Sequence, residues 1–266
     1  MSIMNSLKIS LQLYRNRYTA PKASHLPSLN EKQKGWLHEL RNNGVVAIPG
    51  YFSKEECAYM RNLLDQRIED FVQHHEHDND AKPPKFGWPT AHGYDVWFDL
   101  HHSDYRIVKA EKMDPLVARF HNDPELIAVG ANYLNADLKV KHTMANRVQF
   151  KDANLGSGGG WHRDMVYRRG FKGMIYLTDV DTHTGPFQYI PNSADVSYHL
   201  FKSNTPEQYQ FTHDEVLSII GGDQSLIKEA IAQEGTLLLF ETNMIHRGKP
   251  IEAGHTRYAM TNYHNL

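Results

Sequence analysis

From Leu138 onward the chain keeps one texture: short runs of β-forming residues, KVKHTM, NRVQF, GMIYL, FQYIP, GTLLLF and RYAMTNY, each closed by turn residues. That rhythm predicts a β barrel or sandwich over the second half. The first half reads differently. Asn30 to Asn43 predicts an amphipathic helix capped by Ser28 or Asn30, with Glu31 in its first turn. GVVAIPG follows as a short strand, and Ser53 with Glu56 forms a capping box that opens a helix to about His74. HNDPELIAVGANYL predicts another helix, with Asp123 as cap and Pro124 at the first helical position. The β half is interrupted once, by a helical insertion expected near residues 213–233. Residues 1–30 hold Lys8, Arg15, Arg17 and Lys22 and no acid, which predicts a basic N-terminal arm ahead of a single domain over 31–266.

The totals narrow the function. A chain of 266 residues with 40% hydrophobic content can bury a real core. Net charge is -2, so no global positive field attracts a nucleic acid duplex. The lone cysteine, Cys57, permits no intrachain disulfide and suits a reducing, cytoplasmic setting. No apolar run approaches the roughly 20 residues of a membrane span. His74 to Arg106 is polar, aperiodic and rich in proline and aromatics, among them Phe86, Trp88, Trp97 and Phe98, and is expected to cover something. Lys82, Lys85, His92 and Arg106 in that segment favour a polar or anionic substrate with an apolar part.

Three His-x-Asp triplets occur: His102-Ser103-Asp104, His121-Asn122-Asp123 and His162-Arg163-Asp164. With 17 histidines in the chain, chance alone supplies about one, so surroundings must decide. Asp123 is expected to be occupied as a helix cap. His162 and Asp164 follow three glycines at the start of a predicted strand, where residues i and i+2 share a face. One imidazole and one carboxylate on one face, with a histidine from another strand, would give the two-histidine, one-carboxylate set of non-haem Fe(II) sites. His246 ends the run GTLLLFETNMIH and supplies that histidine. KPIEAG then turns the chain, and a hairpin about that turn would place Arg257 beside His246 across a ladder. The planar fork of an arginine there can hold a carboxylate with two charge-assisted bonds. Arg163, between the two ligands, is expected to point outward.

The same stretches resemble the phytanoyl-CoA dioxygenase family of Fe(II)- and 2-oxoglutarate-dependent oxygenases. LRNNGVVAIPGYFSKEECAYMRNLL resembles that family's opening, WHRD its His-x-Asp motif, YLTDVDTHTGPFQYIPNSAD its turn-rich stretch, and EGTLLLFETNMIHRG its last-histidine strand. Thr184 stands where the family has asparagine, and Asn192-Ser193-Ala194 where it has Gly-Ser-His. The resemblance implies a mainly β fold with flanking helices, a double-stranded β-helix (jelly-roll, cupin-like) barrel. It implies iron ligation by His162, Asp164 and His246, and 2-oxoglutarate anchoring by Arg257, with Gln149 as a second candidate contact. The implied cofactors are Fe(II), 2-oxoglutarate as co-substrate and O2. The implied reaction hydroxylates an unactivated C–H bond of a small molecule with release of succinate and CO2. Asp164 favours hydroxylation over halogenation, because related halogenases lack that carboxylate. Two other readings stand beside it: a non-catalytic β-barrel relative that binds a ligand or partner, and a cupin-like metal enzyme that does not use 2-oxoglutarate.

Overall fold

The computed structural model describes residues 23–74, 87–99, 101–152, 155–164, 169–195 and 208–265, with Leu7, Lys8, Leu11, Gln12 and Arg15 ahead of them. Helix α1 (Glu31–Asn43) opens on Asn30, whose side chain accepts the Gln33 N–H while the Gln33 side chain accepts that of Asn30. Strand β1 (Val45–Ile48) leads to α2 (Lys54–His74), where Ser53 and Glu56 form the expected box at 3.1 and 2.9 Å. Three strands follow: β2 (Trp88–Pro89), β3 (Asp95–Phe98) and β4 (Asp104–Val108). Next come α3 (Pro115–His121) and α4 (Pro124–Leu134). Asp123 caps α4 by accepting the Glu125 and Leu126 N–H groups, so the His121 triplet is structural.

The β half contains β5 (Lys139–Gln149), β6 (Trp161–His162), β7 (Phe171–Tyr176), β8 (Phe187–Tyr189) and β9 (Gln210–Phe211). After α5 (His213–Ile219) it ends with β10 (Lys228–Ala230), β11 (Leu237–Glu241), β12 (His246–Gly248) and β13 (Thr256–Asn265). An eight-stranded sheet runs β1-β11-β7-β13-β5-β4-β3-β2, and a five-stranded sheet runs β10-β8-β12-β6-β9. The two face each other as the expected jelly roll, but as an open pair of sheets rather than a closed barrel.

Side-chain alternation explains the layering. On β11, Leu237 and Leu239 join the core under the helices with Leu40, Met60 and Leu64, while Leu238 and Phe240 face the second sheet with Met174 and Phe187. Strand β7 is buried at all six positions because helices cover one face and the small sheet the other. Cys57 lies in the helix-side core, with burial pushing its thiol up to about 11. Among the described residues no helix is long and apolar enough to cross a membrane.

Three expectations change. The segment after His74 is in part an edge of the large sheet, since β3 and β4 extend β5; Lys82, Lys85 and Phe86 lie outside the described residues. Only the first third of the 213–233 insertion is α-helical, with one 3-10 turn at Gln224–Leu226 after it. Gly221 and Gly222, both at positive φ, stop α5, and Lys228–Ala230 pairs with β8 instead. An open sheet edge there outweighs local helix propensity. The packed body also starts before residue 31: Leu26 and Leu29 lie against the helix-side core, and the Pro27 carbonyl accepts a bond from Asn132 on α4.

Candidate metal centre

The small sheet brings His162 and His246 together. They are direct register partners across β6 and β12, so their side chains leave the same face. Their ring centroids are 4.4 Å apart. Asp164 lies just past β6, pinned by its N–H to the Thr242 carbonyl at 3.1 Å. Its Oδ1 is 3.7 Å from His162 Nε2, and its Oδ2 is 3.6 Å from His246 Nε2. One donor atom from each residue falls within 4.8 Å of the others, the one such group among the described residues.

Backbone carbonyls set the tautomers. His162 Nδ1 bonds the Gly160 carbonyl and His246 Nδ1 the Met244 carbonyl, both at 2.8 Å. A carbonyl can only accept, so Nδ1 carries the proton and each Nε2 turns a bare lone pair toward Asp164. Burial, then repulsion from His162, pushes His246 down to about 3, and burial lowers His162 as well. Burial works to raise the Asp164 carboxyl, but Lys172 and the two imidazoles outweigh it and hold it at about 2. Two neutral imidazoles and an ionised carboxylate are the donor set a divalent transition metal takes. Asp164 Oδ2 is buried, and the Lys172 ammonium pairs with it at 2.7 Å. The residues present therefore fit a metal ion.

Glycine is required behind this group. Gly158 has φ +91, and a Cβ there would collide with the His162 imidazole. Gly156, at the same φ, lies against the Gly248 carbonyl at the end of the other histidine strand.

Across the gap, the large sheet lines a cavity of about 290 Å³ that contains all three donors and Arg257. Arg257 is 3% exposed. It bonds the Gly185 carbonyl through Nη1, and its Nε is buried without a partner. Its closeness to the metal donors does not come from a hairpin ladder: β12 pairs with β6 and β8, whereas β13 pairs with β5 and β7. The two residues meet because the sheets face each other.

Other expectations are corrected here. Gln149 is not brought to the cavity; its amide donates to the His102 carbonyl at 3.0 Å, and the β5 residues that line the cavity are Met144 and Asn146. Arg163 does turn away from the donors, yet it is buried rather than outward, bonding the Gln208 carbonyl and stacking on Phe211. His102-Ser103-Asp104 also touches the large sheet, with Asp104 opening β4 and pairing with Arg106. His255 and His264 stay outside the donor group. Arg106, expected to face a polar or anionic substrate, does line the cavity, whereas Asn146, Lys172, Met174 and Thr261 carry no expectation from the sequence. Lys172 had a signal, being the one charge inside FKGMIYL, a run otherwise suited to burial on both faces.

Comparison with known proteins settles the class. The sequence profile described as phytanoyl-CoA dioxygenase matches residues 40–259. This chain belongs to the phytanoyl-CoA dioxygenase family. The family is one of Fe(II)- and 2-oxoglutarate-dependent oxygenases, and its cofactors are the ones the donor set fits. No curated protein matches the chain. Among solved structures, HygX from Streptomyces hygroscopicus with nickel, 2-oxoglutarate and hygromycin B bound is 16% identical, with TM-score 0.58 over 89% of this chain and 87% of that one. EctD from S. alaskensis in its apo form is 15% identical, with TM-score 0.59 over 93% and 82%. The epimerase SnoN, in complex with Fe3+, alpha-ketoglutarate and nogalamycin RO, is 13% identical, with TM-score 0.58 over 88% and 83%. At these identities the likeness is one of fold.

Proposed function

We propose that the packed body, from Leu26 onward, acts as one catalytic unit, a 2-oxoglutarate-dependent hydroxylase of a small molecule. His162, Asp164 and His246 hold the iron, and Arg257 holds the distal carboxylate of 2-oxoglutarate. When bound, iron with 2-oxoglutarate and O2 supplies the oxidising power that attacks an unactivated C–H bond, with succinate and CO2 as co-products. The observation that carries the reading is the meeting of three metal donors and a buried arginine, its Nε without a partner, in one cavity.

The chain's own part is binding and exclusion. The two backbone carbonyls keep both Nε2 atoms bare, and the buried Arg257 presents a fixed cation to a carboxylate. Met144, Met174, Phe187 and Phe240 wall the cavity and keep water from the reacting carbon.

Fe(II)-dependent release of succinate from 2-oxoglutarate, measured against a metabolite library, tests the reading. Stimulated release with a product one oxygen heavier is expected. A product of unchanged mass would indicate epimerisation, the reaction named for SnoN, and would replace hydroxylation. Absence of any Fe(II)-dependent succinate would favour a non-catalytic relative or a metal enzyme that does not use 2-oxoglutarate.

A further inference from the structure

Three cations line the cavity among the described residues, Arg106, Lys172 and Arg257, against one acid, Asp164. Each has a definable counter-charge. Arg106 is held by Asp104 through Nε at 3.0 Å and Nη2 at 2.5 Å, and its guanidinium lies over Trp97. Arg257 has no carboxylate hydrogen-bonded to it among the described residues and, on the proposed function, takes the distal carboxylate of 2-oxoglutarate. Lys172 is buried, and its one ion pair among the described residues is with Asp164 at 2.7 Å.

Loading the site changes this balance. A divalent ion and doubly charged 2-oxoglutarate cancel each other. The five protein charges, Asp104, Arg106, Asp164, Lys172 and Arg257, sum to one positive charge in excess. The excess falls on Lys172, because Asp164 must then serve the metal, while Arg106 and Arg257 keep carboxylates of their own. A buried ammonium left to share its one carboxylate among the described residues with a divalent cation is costly. The Tyr263 ring, 4.1 Å from Nζ, offers a face but no charge.

Lys172 also stands on the substrate side. On β13, Arg257 and Tyr263 are six residues apart, close to 20 Å along a strand, and Lys172 is the register partner of Tyr263 on β7. The ammonium thus stands at the Asp164 end of the cavity, away from the arginine that anchors the co-substrate. Thr261 lies between them along β13, with Met144 and Met174 as its register partners on β5 and β7, and all three line the cavity.

We infer that the substrate carries an anionic oxyacid group, a carboxylate, sulfonate or phosphate, that pairs with Lys172 while an apolar segment lies against Met144 and Met174. This rests on the reading of the site as one that binds iron and 2-oxoglutarate. Lys172 would then determine specificity by charge rather than take part in oxidation.

The test uses the full chain without oxygen, loaded with Fe(II) and saturating 2-oxoglutarate, whose visible charge-transfer absorption reports occupancy. Acetate, methanesulfonate and inorganic phosphate are titrated beside uncharged acetamide. At least one anion should perturb the absorption with a Kd roughly 10- to 100-fold below that of acetamide, the span of one charge-assisted contact. The tightest anion names the oxyacid. Lys172→Met should abolish the preference, and Lys172→Arg should keep it. Equal binding of anions and acetamide by the wild-type chain overturns the inference without any variant. So does an anion preference that survives in Lys172→Met, which would place the anion on the metal. If the absorption never forms, the metal and co-substrate assignment has failed instead, and the two failures are distinguishable.

Discussion

The two sheets contribute opposite kinds of chemistry. The small sheet supplies both histidine donors from strands of two and three residues, with Asp164 just past the first, and the histidines meet through a single register pair. The large sheet supplies the cations from longer strands: β5 and β13 share ten register pairs, and alternation alone decides which residues face inward. Donor geometry therefore depends on a short, glycine-braced junction, whereas the cations belong to a long, regular wall of paired strands. A change on the small sheet should act on metal binding. A change on the large sheet should act on what the metal site receives.

The sharpest break should come at the donors. His162→Ala or His246→Ala is expected to lower Fe(II)-dependent 2-oxoglutarate turnover by well over 100-fold, since removing a ligand exceeds the roughly 10- to 100-fold cost of losing a partner behind one. Single-turnover succinate assays check this, and full turnover in either variant would remove these residues from the metal. Arg257→Ala, on the other sheet, should weaken 2-oxoglutarate by about 100-fold, the worth of two charge-assisted bonds, with Fe(II) affinity nearly unchanged. Calorimetric titration of each separates the two, and an equal loss of both would erase the division between sheets. Gly158→Ala should show the reverse pattern at smaller size. It pushes on the His162 ring, so metal affinity should fall on the order of 10-fold while 2-oxoglutarate affinity at saturating metal holds.

The smallest effect concerns pH. Burial holds His246 near 3 and lowers His162 as well, so His246 stays neutral in the folded chain well below the ordinary histidine value and His162 resists protonation in the same direction. Metal affinity should therefore not fall near 6.5, as it would with exposed histidines. Stability of the metal-free chain should behave differently. The unfolded chain takes up protons on these histidines near 6.5 and the folded one does not, so stability is present above that value and is lost as pH falls toward 3. Asp164, held at about 2, adds to the loss in the same direction below about 3.9. Melting curves and metal titrations at matched pH would show the two trends part. A tenfold loss of metal affinity at pH 6.5 would contradict the burial argument.

What the sequence discloses follows the range of the interactions involved. The caps at Asn30, Ser53 and Asp123 are written within four residues, and the helices begin where those caps predict. The donors were readable because His162 and Asp164 are close in sequence and His246 ends a strongly apolar run. Strand partners were not, because pairing is non-local. The turn between His246 and Arg257 reads locally as a hairpin ladder, although its two strands belong to different sheets. Nothing local tells which parity of β5 faces inward, so the sequence points to Gln149 while the cavity takes Asn146. Lys228–Ala230 became a strand because β8 had an edge to offer. Lys172 was visible as an isolated charge, but its meaning required Asp164 to stand 2.7 Å away.

The central claim is that one site holds iron and 2-oxoglutarate together, and an oxygen-free titration of the full chain with Fe(II) at saturating 2-oxoglutarate tests it most directly. The account predicts a visible charge-transfer absorption that saturates at one iron per chain and is absent in His246→Ala. An undiminished absorption in His246→Ala, or none in the wild-type chain, would contradict it.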